Sequence, residues 1–204
     1  MEKLLKRLID ITVSGLLLWT IWPLIALVAL LVYLKLGSPV IFRQTRIGLH
    51  DEPFCMMKFR TMTDARDAAG NLLPDDVRLT AFGKFLRSTS LDELPELWNI
   101  FIGNMSLVGP RPLLPEYMPY YTPTELKRHT MRPGVTGLAQ VSGRNGLGWN
   151  ERLALDVEYV ERFSLKLDAQ ILWRTVMVVL KREGISAQGH VTMRRLDDER
   201  KDTA

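Results

Sequence analysis

Residues 11–34 (ITVSGLLLWTIWPLIALVALLVYL) run for 24 positions without a charge. A straight helix rises about 1.5 Å per residue, so such a run can cover a hydrocarbon core of about 30 Å. The run is longer than the apolar region of a signal peptide, and no small-residue cleavage site precedes Lys35. Pro23 sits near its middle, where it removes one helical hydrogen bond and favours a kink. If the chain bends at Trp22-Pro23, each limb has roughly a dozen residues, too few to cross. The pattern therefore fits a straight anchor or a re-entrant element that enters and leaves by one face. Thr20 and Ser14 are candidates to bond the backbone groups freed at a kink.

Beyond the apolar run the periodicity changes several times. Residues 38–62 carry β-type apolar pieces around a polar turn and predict a short hairpin. Residues 63–78 are acidic and polar, a surface excursion. Helical spacing returns over 79–103, with Leu79, Phe82, Phe85 and Leu86, then Leu91, Leu94, Leu97, Trp98 and Phe101. Six prolines over 108–134 predict a rigid, irregular stretch, and 134–148 is glycine-rich. Residues 149–163 and 168–183 predict helices, the second with a broad apolar side (Ile171, Leu172, Val176, Val179, Leu180) that suits a core or a lipid interface. The expected fold class is α+β: a membrane helix, then a compact, mainly helical domain with a short hairpin. The expected divisions are a membrane segment at 1–36, a catalytic domain at 37–184 and a polar, frayed tail at 185–204.

Charge placement adds to this picture. The net charge is +4 over 204 residues. Residues 1–50 hold six bases and two acids, whereas 51–204 hold 21 of each sign. The excess thus flanks the apolar segment instead of forming a basic face on the body. That points to an anionic membrane surface and away from nucleic acid. With bases on both flanks, the positive-inside tendency is satisfied on both sides only if the segment returns to the face it entered. A single cysteine, Cys55, excludes an internal disulfide framework.

The sharpest chemical signal is Ser90-Leu91-Asp92-Glu93-Leu94-Pro95. Ser90 and Glu93 have the spacing of a capping box, and Asp92 suits the first turn of a helix. A carboxylate at a helix start is also positioned and ionised, which suits a nucleophile or a metal ligand. Several cations lie in non-helical settings: Lys58, Arg60, Arg87, Arg111 between two prolines, Arg132 before Pro133-Gly134, and Arg144 in a glycine-rich loop. Planar guanidinium groups held in stiff loops match phosphate oxygens. Together they point to a phosphate-containing substrate. Asp156 and Tyr159, three apart on a predicted helix, suit either a cleft or a core with a surface acid. His129 suits a surface or structural role. The three histidines form no HExxH and no GxSxG is present, so neither a zinc nor a serine hydrolase has support. These residues alone leave open a covalent transferase, a single-displacement transferase in which Asp92 only binds metal, and a non-catalytic membrane-anchored scaffold.

The runs KFRTM, SLDELPELWN, MSLVGPRPLL and RPGVTGLAQVSGRN strongly resemble the bacterial sugar transferases, specifically the monotopic phosphoglycosyl transferases. The resemblance extends from the membrane segment to about residue 190. It implies a re-entrant helix broken at Trp22-Pro23 and a catalytic domain on the cytoplasmic face of the bacterial inner membrane. It implies an Asp92-Glu93 dyad in which Asp92 attacks the β-phosphate of a UDP-sugar and expels UMP. Undecaprenyl phosphate then takes the phosphosugar from Asp92. Glu93 would help hold Mg²⁺ or assist the acceptor, and Asp92 would share the metal. Lys58, Arg60, Arg87, Arg111, Arg132, Arg144 and Tyr159 would bind substrate, with Asp168 also in a matched stretch. The short length resembles members acting on bacillosamine-type UDP-sugars. Trp22 stands where many relatives have a small polar residue.

Overall fold

A computed structural model describes residues 1–143, 147–181 and 195–201. Helix α1 (Glu2–Leu36) leads into an antiparallel hairpin, β1 (Ile41–Ile47) and β2 (Pro53–Phe59). The short α2 (Asp75–Arg78) ends the polar excursion, and α3 (Ala81–Ser88) and α4 (Glu96–Ile102) follow. Strand β3 (Ser106–Val108) pairs in parallel with β4 (Gly134–Thr136). Between them the proline-rich chain forms short 3₁₀ turns and α5 (Pro123–Leu126). Helices α6 (Leu138–Ser142), α7 (Trp149–Glu161), α8 (Leu165–Lys181) and α9 (Leu196–Lys201) complete the described chain.

Helical backbone continues through Pro23, in place of the expected two helices with a break between them. One proline removes a single bond, and the flanking turns carry on. That missing bond is the one to the Trp19 carbonyl, four residues earlier. The hydroxyls expected to compensate do not reach it: Thr20 donates to the carbonyls of Leu16 and Leu17, and Ser14 to that of Asp10.

Both ends of α1 are fastened to the body. Near the start, Lys6 Nζ lies 2.6 Å from Asp168 Oδ2 on α8. Arg7 donates to the carbonyls of Ile100 and Phe101 at the end of α4. The buried Asp10 carboxylate accepts the Leu107 N–H of β3. Near the other end, Val28 and Val32 form a buried cluster with Phe59 of β2 and Leu86 of α3. Between these anchorages Trp19 and Trp22 are 65% and 63% exposed.

Helix α4 turns an unexpected face inward. Glu96, Asn99 and Ile100 are buried, whereas Trp98, Phe101 and Ile102 are exposed. The apolar stripe that predicted the helix thus lies outside. A similar outward stripe runs along α8, where Ile171 is buried and Leu172, Trp173, Val176 and Met177 are exposed. The side of α8 that suits a core therefore contributes only in part to one.

Residues 195–201 are not a frayed end. Leu196 is fully buried against Leu113, Tyr117, Tyr121, Trp149 and Leu153. Arg200 pairs with both carboxylate oxygens of Glu125, at 2.8 and 2.6 Å.

Candidate active site

The dyad lies in a single 3₁₀ turn, Leu91–Glu93, wedged between α3 and α4. The expected capping box does not form. Ser90 is left-handed (φ 55°) with no side-chain cap, because it closes α3 instead, its N–H bonding the Arg87 carbonyl. Freed from capping, Glu93 reaches the neighbouring strand: Lys58 Nζ of β2 lies 2.6 Å from its Oε1. Lys58 also lies 3.1 Å from Oε1 of Glu96, the first residue of α4. Asp92 is 8% exposed and within electrostatic reach of Lys58 and Arg87.

These contacts set the charges. Burial, then the charge of Glu93, pushes the Asp92 carboxyl above its ordinary range, while Lys58 and Arg87 pull it back. The sequence reading of a carboxylate kept ionised by a helix end gives way to one whose ionisation rests on Lys58 and Arg87. Glu96 is pushed up to about 7, chiefly by burial, with Lys58 opposing and Glu93 reinforcing. Burial works against the Lys58 ammonium, but Glu93 and Glu96 outweigh it and the group is held above its ordinary value.

Position is enforced from below. The Asn99 side chain, fully buried one turn after Glu96, accepts the Met57 N–H and donates to the Cys55 carbonyl. It thereby fixes β2, and so Lys58, against α4. Arg87 Nε donates to Thr61 Oγ1 at 3.1 Å, which ties α3 to the chain after β2.

Arg111 is exposed, and its backbone is clamped by a buried ion pair. Arg128 Nη2 lies 2.6 Å from both the Arg111 carbonyl and Asp156 Oδ2. The positive charge of Arg111 acts on Lys58 and Glu96, so it lies within electrostatic reach of both. His129 is structural, its Nδ1 sitting 2.6 Å from Asp51 Oδ1.

The expected site residues therefore divide. Asp92, Glu93, Lys58, Arg87 and Arg111 form one electrostatic cluster. Arg60 spends its donors on Met62, Ser38 and Asp64, and Arg132 donates to Gly103. Both hold loops in place. Tyr159 is buried, donating to Asp168 and the Val108 carbonyl, so it braces the anchorage of α1. Asp156 and Tyr159 share no cleft: one joins Arg128 and the other Asp168. Arg144 lies outside the described residues. Glu96 and Asn99 escaped the sequence reading, although polar residues three apart inside an apolar helical run are a usable signal.

Among the described residues no group of three or more His, Cys, Asp or Glu forms a metal cage. The adjacent carboxylates of Asp92 and Glu93 fit Mg²⁺, a hard cation usually held by one or two carboxylates with substrate phosphates and water completing its shell.

Residues 1–182 match the bacterial sugar transferase family. The uncharacterized sugar transferase EpsL of Bacillus subtilis is 52% identical over 192 residues, covering 94% of this chain and 95% of the relative. A UDP-glucose:undecaprenyl-phosphate glucose-1-phosphate transferase of Caulobacter vibrioides is 42% identical over 186 residues, covering 86% of this chain and 69% of the relative. An Escherichia coli protein with the same described activity is 38% identical, but this chain spans only 40% of its length. The dyad turn, the lysine strand and the arginine loop thus sit in a chain that belongs to the bacterial sugar transferase family.

Proposed function

We propose that this protein transfers a sugar 1-phosphate from a UDP-sugar to undecaprenyl phosphate through a covalent Asp92 intermediate. The observation that carries the reading is Asp92 on a tight turn, half-enclosed by Lys58, Glu93 and Arg87 with Arg111 nearby. In the first step an Asp92 oxygen bonds to the β-phosphorus, the bond to the bridging oxygen breaks, and UMP departs with that electron pair. In the second, an oxygen of the lipid phosphate attacks the same phosphorus and Asp92 leaves as a carboxylate. Lys58, Arg87 and Arg111 hold the phosphate oxygens and offset charge during transfer. Glu93 orients the acceptor phosphate or shares a metal ion with Asp92. Mg²⁺ bound by these two carboxylates supplies charge neutralisation at the transferring phosphoryl group.

The membrane reading is monotopic, on the cytoplasmic face of the inner membrane. Its support is the double anchorage of α1. In a straight crossing, Lys6 and the body would lie on opposite sides of the bilayer, and the Lys6–Asp168 pair could not form. With both ends held on one body, the exposed stretch around Trp19 and Trp22 meets lipid from the same face as the body. The exposed apolar stripes of α4 and α8 suit the same interface.

Purified protein given a panel of UDP-sugars, Mg²⁺ and undecaprenyl phosphate should release UMP. Relatives whose descriptions name a sugar name glucose or galactose, so UDP-glucose heads the panel, ahead of the bacillosamine-type sugars that short length suggests. Asp92→Asn should abolish release, and intact mass after incubation with UDP-sugar alone should show a phosphosugar adduct on the wild type. UMP release by Asp92→Asn at the wild-type rate refutes the nucleophile. Absence of an adduct during single-turnover release favours single displacement.

A further inference from the structure

We propose that Glu96 is a positioning residue for the transfer reaction, the fixed counter-ion that keeps Lys58 aimed at the dyad when Glu93 turns to its own partner. This rests on the transferase reading above. Lys58 is shared between two carboxylates of different character. Glu93 is partly open and sits on a 3₁₀ turn, whereas Glu96 is 2% exposed and rooted in α4. Glu93 has a second task in the reaction, so its bond to Lys58 must loosen in each cycle. Glu96 has no such freedom. Its backbone belongs to the helix that Asn99 fastens to β2, so carboxylate and lysine strand form one rigid unit. The groups facing this unit are Glu93 from the turn, Lys58 from β2, Arg111 from the loop after β3 and, further along β1, Arg46.

This arrangement has two opposed consequences. The negative charge of Glu96 repels an incoming diphosphate, which weakens ground-state binding. Its grip on Lys58 keeps the ammonium placed for the transition state, which raises the rate. Removing the charge should therefore move binding and turnover in opposite directions. A merely structural residue would lower turnover with the inactive fraction and leave KM alone.

The test measures UMP release and, separately, the affinity for UDP alone without added metal, in wild type, Glu96→Gln and Glu96→Asp. In Glu96→Gln, kcat should fall about tenfold while KM for the UDP-sugar and Kd for UDP both fall about threefold. Glu96→Asp keeps the charge but shortens the reach, so kcat should fall with UDP affinity unchanged. Wild-type kcat in either folded variant, or a loss of kcat in Glu96→Gln without tighter UDP binding, overturns the proposal. Should Glu96→Gln fail to fold, Glu96→Asp carries the test through its kcat and UDP affinity. If the wild type releases UMP from no UDP-sugar, the transferase reading fails, while UDP affinity still reports on Glu96 independently.

Discussion

Lys6 and Asp168 meet across 162 residues of sequence, Nζ to Oδ2 at 2.6 Å, with both side chains buried. The pair joins the first turns of α1 to the start of α8, and Tyr159 donates to the other carboxylate oxygen at 2.7 Å. Breaking a buried pair from one side strands a charge, at a cost of about 3–5 kcal/mol. Lys6→Met should lower stability by about that much, read as thermal unfolding in detergent. Lys6→Met with Asp168→Asn should lose much less than the two single changes combined, because together they leave no unpaired charge behind.

The ion pair of Arg128 and Asp156 underlies the Arg111 turn, with each side chain 1% exposed. Asp156→Asn should destabilise by about 3–5 kcal/mol, since the Arg128 guanidinium stays buried without its counter-ion. In protein that still folds, the Arg128 guanidinium that holds the Arg111 carbonyl has lost its own anchor. KM for the UDP-sugar should then rise, because a phosphate-binding arginine on a looser turn binds less well. Steady-state kinetics at a temperature well below unfolding separates the two effects.

The Glu96 carboxyl, raised by burial from 4.5 to about 7, makes stability depend on pH. The folded state holds this proton more tightly than the unfolded chain, so stability falls as pH rises from about 4.5 to 7 and the penalty is complete above that window. Glu96→Gln removes the titrating group. Relative to wild type, its Tm should rise progressively across pH 4.5 to 7 and then level off. A Tm difference independent of pH over that window contradicts the assignment.

Leu196 fills an aromatic box made by Leu113, Tyr117, Tyr121 and Trp149, closed by Leu153. Leu196→Ala should cost about 2–5 kcal/mol through the cavity it leaves. Denaturant unfolding with an unchanged m-value is the check, and a cost under about 1 kcal/mol means that the box collapses onto the space.

Much of this architecture is written in periodicity. The 24-residue apolar run, the β1–β2 hairpin and helices α7 and α8 follow from spacing, because each has one strong local pattern. The three-residue strands β3 and β4 do not, since strands this short between prolines and glycines show no alternation. Helix α4 is legible in existence and inverted in phase. Trp98 and Phe101 belong to the apolar spacing that predicts the helix, yet both are exposed, while the polar Glu96 and Asn99 face inward toward Lys58 and β2. Asp92, Glu93, Lys58, Arg87 and Arg111 were visible as residue types in stiff settings. Arg60, Arg132 and Tyr159 looked the same in sequence. What separates them is which backbone carbonyl or carboxylate lies across the fold from each, and one-dimensional spacing holds no record of that.

The Asn99 amide also settles a problem of exposed backbone. A two-stranded hairpin has two open edges, and an unpaired edge is a template for joining another chain. Outward-facing groups of β2 at Cys55 and Met57 would present such an edge, but one carboxamide takes the carbonyl of the first and the N–H of the second. Asn99 thus stands in for a third strand at the one place where such a strand would cover the lysine. Asn99→Leu, with the same branched skeleton but unable to pair, would reopen that edge, so self-association should accompany any loss of activity. The residue that aligns the Lys58 strand thereby also covers part of that strand's open edge.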